Sequence, residues 1–223
     1  MPNNTDPEVR IQPHGPYLVS RTRLFRMRQI SNPAGRPMEW ARGAEIEFQG
    51  TCALCRCGAS ENKPFCDGRH KKVGFDGAEL ADRTPTSERR EHYFGDGIVL
   101  TDDKPFCYHA GFCVTEHTNV WDLIDESSDP AAREEIVRMV RACPSGRLEF
   151  QNPPNKEPVE EELDAEIAVV EDGPLWVRGR VPVEAEDGKP LEVRNRMALC
   201  RCGASANKPY CDGTHAAISF RDC

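Results

Sequence analysis

The stretch Cys55-Arg-Cys-Gly-Ala-Ser-Glu-Asn-Lys-Pro-Phe-Cys-Asp-Gly-Arg-His70, CRCGASENKPFCDGRH, returns as CRCGASANKPYCDGTH from Cys200 to His215, with 13 of 16 positions identical. Every Cys, the His, the Pro, the Ser and the Lys are kept, so each copy reads as a site. The candidate ligands share one spacing, C-x-C-x8-C-x3-H: Cys55, Cys57, Cys66 and His70, then Cys200, Cys202, Cys211 and His215. Two cysteines at i and i+2 on an extended strand would point to opposite faces, so the segment must turn, which Gly58 and Gly203 permit. Asp67-Gly68 and Asp212-Gly213 favour a tight turn or helix start after the third Cys. There, backbone N–H groups can face sulfur, and the His lies one helical turn further on. Three thiolates and an imidazole suit structural zinc as well as a [2Fe–2S] cluster, and spacing leaves both open.

The duplication extends outward from the cysteines. Gly15-Pro-Tyr-Leu-Val19 is echoed by Gly173-Pro-Leu-Trp-Val177, Gly35-Arg-Pro37 by Gly188-Lys-Pro190, and Thr51-Cys-Ala-Leu-Cys55 by Arg196-Met-Ala-Leu-Cys200. The first copy runs 40 residues from its Gly-Pro to its first ligand Cys and the second 27, so the first carries an insertion. These echoes divide the chain into an N-terminal tail (1–14), a first repeat (15–80), a middle segment (88–151), an acidic Pro-rich linker (152–172) and a second repeat (173–223). In the middle, Asp129-Pro130 supplies an N-cap and a first-turn Pro. Glu134 and Glu135 follow, then Ile136, Val137 and Val140 at helical spacing, which predicts a helix over 130–142. Asn152 to Pro158 and the acidic run Glu160 to Asp164 read as solvated chain.

The 223 residues hold 11 Cys, 17 Gly and 18 Pro against 38% hydrophobic and 7% aromatic residues. That composition predicts an α+β fold of small β-sheets, with sites rigidified by metal rather than by packing alone. The formal charge of −8 argues against nucleic-acid binding by bulk electrostatics. No apolar run approaches the roughly 20 residues of a membrane span. The polar start MPNNTDPEVR has no apolar signal region, and the expected location is cytoplasmic. A reducing compartment favours metal ligation over disulfides for so many cysteines.

Both copies resemble the CDGSH iron–sulfur domain family (mitoNEET-like), whose pattern is C-x-C-x2-[S/T]-x3-P-x-C-D-G-[S/A/T]-H. Ser60, Pro64 and Asp67, and Ser205, Pro209 and Asp212, stand where that pattern expects them, while Arg69 replaces the small residue before the first His. The resemblance implies two [2Fe–2S] clusters, each held by three Cys and one His. It also implies two domains related by a pseudo-two-fold axis, an internal dimer fused into one monomer. The His ligand couples redox state to protonation, and acid is expected to promote cluster loss or transfer. Arg56, Lys63, Arg69, Lys71 and Lys72 crowd the first site, whereas Arg201 and Lys208 are the cations of the second. The first cluster is therefore expected at the higher potential, with a less basic His ligand.

In the middle segment, Cys107-Tyr-His-Ala-Gly-Phe-Cys113 and Cys143-Pro-Ser-Gly146 match the ferredoxin run C-x2-C-x2-C with a distant Cys-Pro, except that Ala110 stands where the middle Cys would be. The segment resembles divergent single-cluster ferredoxin-like domains. Cys107, Cys113 and Cys143 are thus candidates for a third cluster, [3Fe–4S] or [4Fe–4S] with a non-cysteine ligand, and His109 for that extra ligand; the alternative is that they bind no metal. Arg21 to Arg28 alternates arginine with apolar residues and reads as a charged edge strand. Cys52 and Cys223 read as free thiols, and Trp40, Trp121 and Trp176 as packing residues.

No nucleophile elbow, phosphate loop or dinucleotide fingerprint is present, so the expectation is a non-enzymatic iron–sulfur protein. It would act in electron transfer or cluster transfer, with a redox partner or cluster-acceptor protein. The alternatives are a zinc-stabilised interaction or nucleic-acid module, and a redox enzyme whose substrate site carries no motif.

Overall fold

A computed structural model describes residues 6–155 and 157–222; Cys223 lies outside them. The first part of the chain forms β1 (Glu8–Ile11), β2 (Tyr17–Ser20), β3 (Arg23–Ser31), β4 (Pro37–Glu45), β5 (Thr51–Leu54), and the single-turn helices α1 (Arg69–Lys72) and α2 (Thr86–Arg89). The middle contributes β6 (Glu91–Gly95), β7 (Ile98–Asp102), α3 (Val120–Leu123), α4 (Pro130–Ala142) and β8 (Leu148–Gln151). The last part forms β9 (Glu166–Val170), β10 (Leu175–Arg178), β11 (Val183–Glu184), β12 (Arg196–Leu199) and α5 (Thr214–Ala217). Small sheets with few helices make this an α+β protein. No helix among the described residues is long and apolar enough to cross a membrane.

The repeats trade strands. In the first, β1, β2 and β5 are antiparallel neighbours, with Val9 opposite Val19 and Tyr17 opposite Leu54. In the second, β9, β10 and β12 repeat the arrangement, with Ile167 opposite Val177 and Leu175 opposite Leu199. The strand that follows each hairpin leaves for the other sheet. β3 lies parallel to β9, with Leu24 opposite Ile167, and β11 lies parallel to β1, with Val183 opposite Val9. The two sheet orders are therefore β11-β1-β2-β5 and β12-β10-β9-β3-β4. One core is shared between them, with Val9, Tyr17 and Leu54 of the first repeat packed with Ile167, Leu175 and Leu199 of the second.

Three expectations are corrected here. The supposed tail contains β1, because Val9 and Ile11 alternate with charged neighbours and bury into the core. The supposed linker contains β9, whose five residues are all buried because it is flanked by strands on both sides. Within the acidic run, Glu160 is half-buried and accepts from Arg196 at 2.6 Å, so that part is an anchor. Likewise β3 is interior, between β9 and β4, and two of its arginines pair with carboxylates of the second half: Arg23 with the exposed Asp164 at 2.7 Å, Arg26 with the buried Asp222 at 2.8 Å. The edge is β4.

The middle segment folds as an antiparallel sheet, β6-β7-β8, with α3 and α4 against it. α4 has the expected span, capped by the Asp129 carboxylate accepting from Ala131 N at 3.3 Å. It buries Ile136, Met139 and Val140. Trp40 ties this unit to the repeats: its ring lies 5.0 Å from Phe112 and 5.3 Å from Trp176, and its indole N–H donates to Ala142 O at 3.0 Å.

The two repeats also approach closely at Gly58 and Gly203. A Cβ on Gly58 would stand 2.5 Å from Cys202 O, and one on Gly203 would stand 2.7 Å from Cys57 O. Both also have positive φ, 76° and 82°. Gly58→Ala should therefore cost about 2–4 kcal/mol in urea unfolding, strain and overpacking together. Gly35→Ala, with φ of 78° but open space around it, should cost only about 1–2 kcal/mol.

Two candidate metal centres and a third cavity

Each motif is a loop folded back on the strand that launches it. Beyond β5, Cys55 N donates to Pro64 O at 2.8 Å and Cys66 N donates to Ala53 O at 2.8 Å. Beyond β12, Cys200 N and Cys211 N do the same with Pro209 O and Ala198 O, at 2.8 and 2.9 Å. The non-ligand residues of the motif shape the loop. Ser60 Oγ donates to Phe65 O (2.6 Å) and accepts from Asn62 N (3.1 Å). Asp67 accepts from Glu61 N (3.0 Å) and Arg69 N (3.1 Å). Ser205 and Asp212 repeat every one of these bonds in the second copy.

The result is four donors arranged as two pairs. Cys55 Sγ lies 3.8 Å from Cys57 Sγ, and Cys66 Sγ lies 3.3 Å from His70 Nδ1. The second copy has 3.8 Å for Cys200 and Cys202 and 3.3 Å for Cys211 and His215 Nδ1. Gly58 and Gly203, in the left-handed region, turn each Cys-x-Cys so that both sulfurs face one way, and Gly68 and Gly213 start the single-turn helices that bring up the His. Backbone N–H groups face sulfur as the turn chemistry predicts, Ala59 N at 3.5 Å from Cys57 and Gly68 N at 3.4 Å from Cys66. In each Cys-x-Cys a hydrogen bond between the two sulfurs lowers the pKa of one of them, to about 6 at Cys55 and about 7 at Cys202. Among the described residues no three Cys, His, Asp or Glu side chains gather closely enough to hold a single ion between them. This donor set of soft thiols and imidazole, paired two and two, fits a two-metal group.

The environments of the two sites differ. Arg56 and Arg201, counted from sequence among the cations of the two sites, are both 1% exposed. Arg201 staples its loop to the β9–β10 turn through Val170 O (2.6 Å) and Gly173 O (2.9 Å), and it pairs with Asp222 at 2.8 Å. Arg56 donates to Gly77 O at 2.6 Å, at the position where the second repeat has Asp222. Arg69 is held by Glu61 and Asp67. The His215 pKa is lowered, by burial first and then by Arg201. Tyr17 crosses between repeats, its hydroxyl donating to Cys200 O at 2.7 Å. The sequence offered one sign of the arginines, their identity in both copies, and none of Tyr17, which Leu175 replaces in the second repeat.

Cys107, Cys113 and Cys143 line one cavity of about 290 Å³ with Tyr108, Trp121 and Arg147. A 3₁₀ turn over Lys104–Phe106 delivers Cys107, and the end of α4 delivers Cys143. Burial pushes the Cys113 thiol up to about 11. His109 is exposed with φ of 63°, and its backbone N–H lies 3.4 Å from Cys107 Sγ. Among the described residues this segment packs against the second site: Tyr108 lies 5.9 Å from the His215 ring and packs on Cys211, and Phe106 meets Tyr210 edge-on at 4.5 Å. Cys52 is a buried thiol of β5, raised to about 11 by desolvation.

Compared with known proteins, residues 14–71 and 172–216 match the iron-binding zinc finger CDGSH type, and residues 93–153 match the divergent 4Fe-4S mono-cluster. Neither a curated protein nor a solved structure matches the chain. Asp222→Asn, which leaves Arg201 buried without its counter-charge, should cost about 3–5 kcal/mol in urea unfolding. Asp187→Asn, at the exposed pair with Arg83, should cost under about 1 kcal/mol.

Proposed function

The chain is a two-copy CDGSH-type iron–sulfur protein with a divergent 4Fe-4S mono-cluster region inserted between the copies, and from that premise we propose that it holds a [2Fe–2S] cluster in each copy and serves electron transfer or cluster transfer. The observation that carries this reading is the division of donors, found twice: Cys with Cys at 3.8 Å and Cys with His at 3.3 Å, one pair for each iron. When bound, each cluster supplies a one-electron redox centre. Around it the chain's own residues do the rest. The backbone N–H groups at sulfur offset thiolate charge, and the buried arginine of each loop adds a fixed cation. Lys71 and Lys72, next to His70 in the chain, support the higher potential for the first site.

The reciprocal pairing of β3 with β9 and β11 with β1 supports a pseudo-two-fold relation between the repeats, a dimer fused into one chain. The cavity lined by Cys107, Cys113 and Cys143 supports a third cluster of [3Fe–4S] or [4Fe–4S] type in a ferredoxin-like middle unit. Its packing against His215 favours electron transfer as the task, with a redox partner protein.

Iron, sulfide and zinc per chain, measured with visible and electron paramagnetic resonance spectra on anaerobically purified protein, test the reading. About seven or eight irons are expected, falling to about four in a C107S/C113S/C143S variant. Zinc without visible colour would overturn it.

The imidazoles set the acid response. An imidazole must be unprotonated at Nδ1 to serve as ligand, so acid should promote cluster loss. Burial lowers the His215 pKa and so holds that imidazole neutral to lower pH. An H70C/H215C variant, followed by visible absorbance at pH 5 to 6, should lose its colour more slowly than the wild type.

A further inference from the structure

The two motif loops share a sequence but not a surface. After the ligand His, the first copy exposes Lys71, Lys72 and Val73, and the second exposes Ala216, Ala217 and Ile218 at the matching positions. From Glu61 to Val73 four cations stand against two carboxylates; from Ala206 to Ile218 there is one of each. Arg69 is occupied by Glu61 and Asp67, and among the described residues neither Lys71 nor Lys72 has an ion-pair partner. In the second copy Lys208 turns inward to Ser205 O at 2.6 Å.

Access differs in the same direction. Cys211 is 2% exposed and packed with Tyr108, and Cys202 is 7% exposed and packed with Phe220, while Asn207 is fastened to Pro105 O at 2.7 Å. Cys57 and Cys66, at the equivalent positions, are only half-buried. The whole chain carries a formal charge of −8, so an acidic macromolecule is repelled by most of its surface and attracted where lysines stand beside an accessible ligand loop.

We propose that the face made by His70, Lys71, Lys72 and Val73 is the docking surface for an acidic one-electron carrier protein, and that the second site is an internal station shielded from such partners. This rests on the reading of both sites as [2Fe–2S] centres. One electron leaves the carrier's reduced centre and enters the first site; the carrier is oxidised, the chain is reduced, and no bond is made or broken. Plant-type ferredoxins are suitable carriers, because their potential lies below that of a His-ligated cluster and the transfer runs downhill.

The test is stopped-flow reduction of the oxidised holoprotein by a pre-reduced acidic plant-type ferredoxin, across a range of ionic strength. In K71E/K72E the second-order rate constant should fall about tenfold at low salt and lose the wild-type decline with added salt. A216E/A217E should change it less than about twofold. Should the double Glu variant fail to take up its cluster, K71Q/K72Q carries the same test, with a smaller loss in the same direction expected. Equal slowing by both pairs, or none by either lysine variant, in coloured protein with wild-type spectra, would overturn the docking face while leaving the cluster reading intact. A colourless, zinc-bearing wild type would overturn both.

Discussion

Everything in this molecule is arranged around the contact between the two Cys-x-Cys-Gly turns, where Gly58 lies on the backbone of Cys202 and Gly203 on the backbone of Cys57. No side chain fits between them. That contact requires the strands launching the turns, β5 and β12, to end at the same level, and the exchange of β3 and β11 fixes their sheets in the necessary positions. The shared core follows from the exchange, because neither repeat has enough apolar residues to cover its own sheet. Each ligand loop is consequently supported from both repeats, as Tyr17 shows by holding the carbonyl of Cys200.

The sequence made the local chemistry legible and the long-range connections illegible. The loop of each motif could be read because its devices act within about sixteen residues: Gly at the turn, Ser and Asp bonding nearby amides, His one helical turn past Cys. The α4 helix could be read for the same reason, from Asp129 through Val140. What could not be read was set by partners far away in the chain. Residues 8–11 look like tail until Val183 is beside Val9, and residues 166–170 look like linker until Leu24 is beside Ile167. The arginines of β3 read as an edge because the carboxylates that receive them, Asp164 and Asp222, lie in the second half of the chain. Likewise the three middle cysteines could be listed from spacing, but the docking of Tyr108 on the second loop leaves no trace in any local pattern.

Duplication has also let one motif acquire two environments. The bonds inside the loops are conserved between copies to within a few tenths of an ångström, whereas the residues around them have separated: Glu61 against Ala206 and Arg69 against Thr214 outside, and Gly77 against Asp222 beneath the loop. A homodimer could not separate them, because a substitution there would appear on both sides of the axis. Two copies within one chain are free of that constraint, and the middle segment packs against the second loop.

The strand exchange also governs the order in which the protein can be assembled as it leaves the ribosome. Synthesis proceeds from the N-terminus, and when β1, β2 and β5 have emerged, the outer edge of β1 has no partner until Val183 is made. β3 has β4 beside it but waits for β9 on its other side. An open edge over an incomplete apolar face is a template for pairing with another nascent chain. The first half must therefore persist unfinished through the synthesis of the whole middle segment, and a separately expressed first half would retain those open edges permanently.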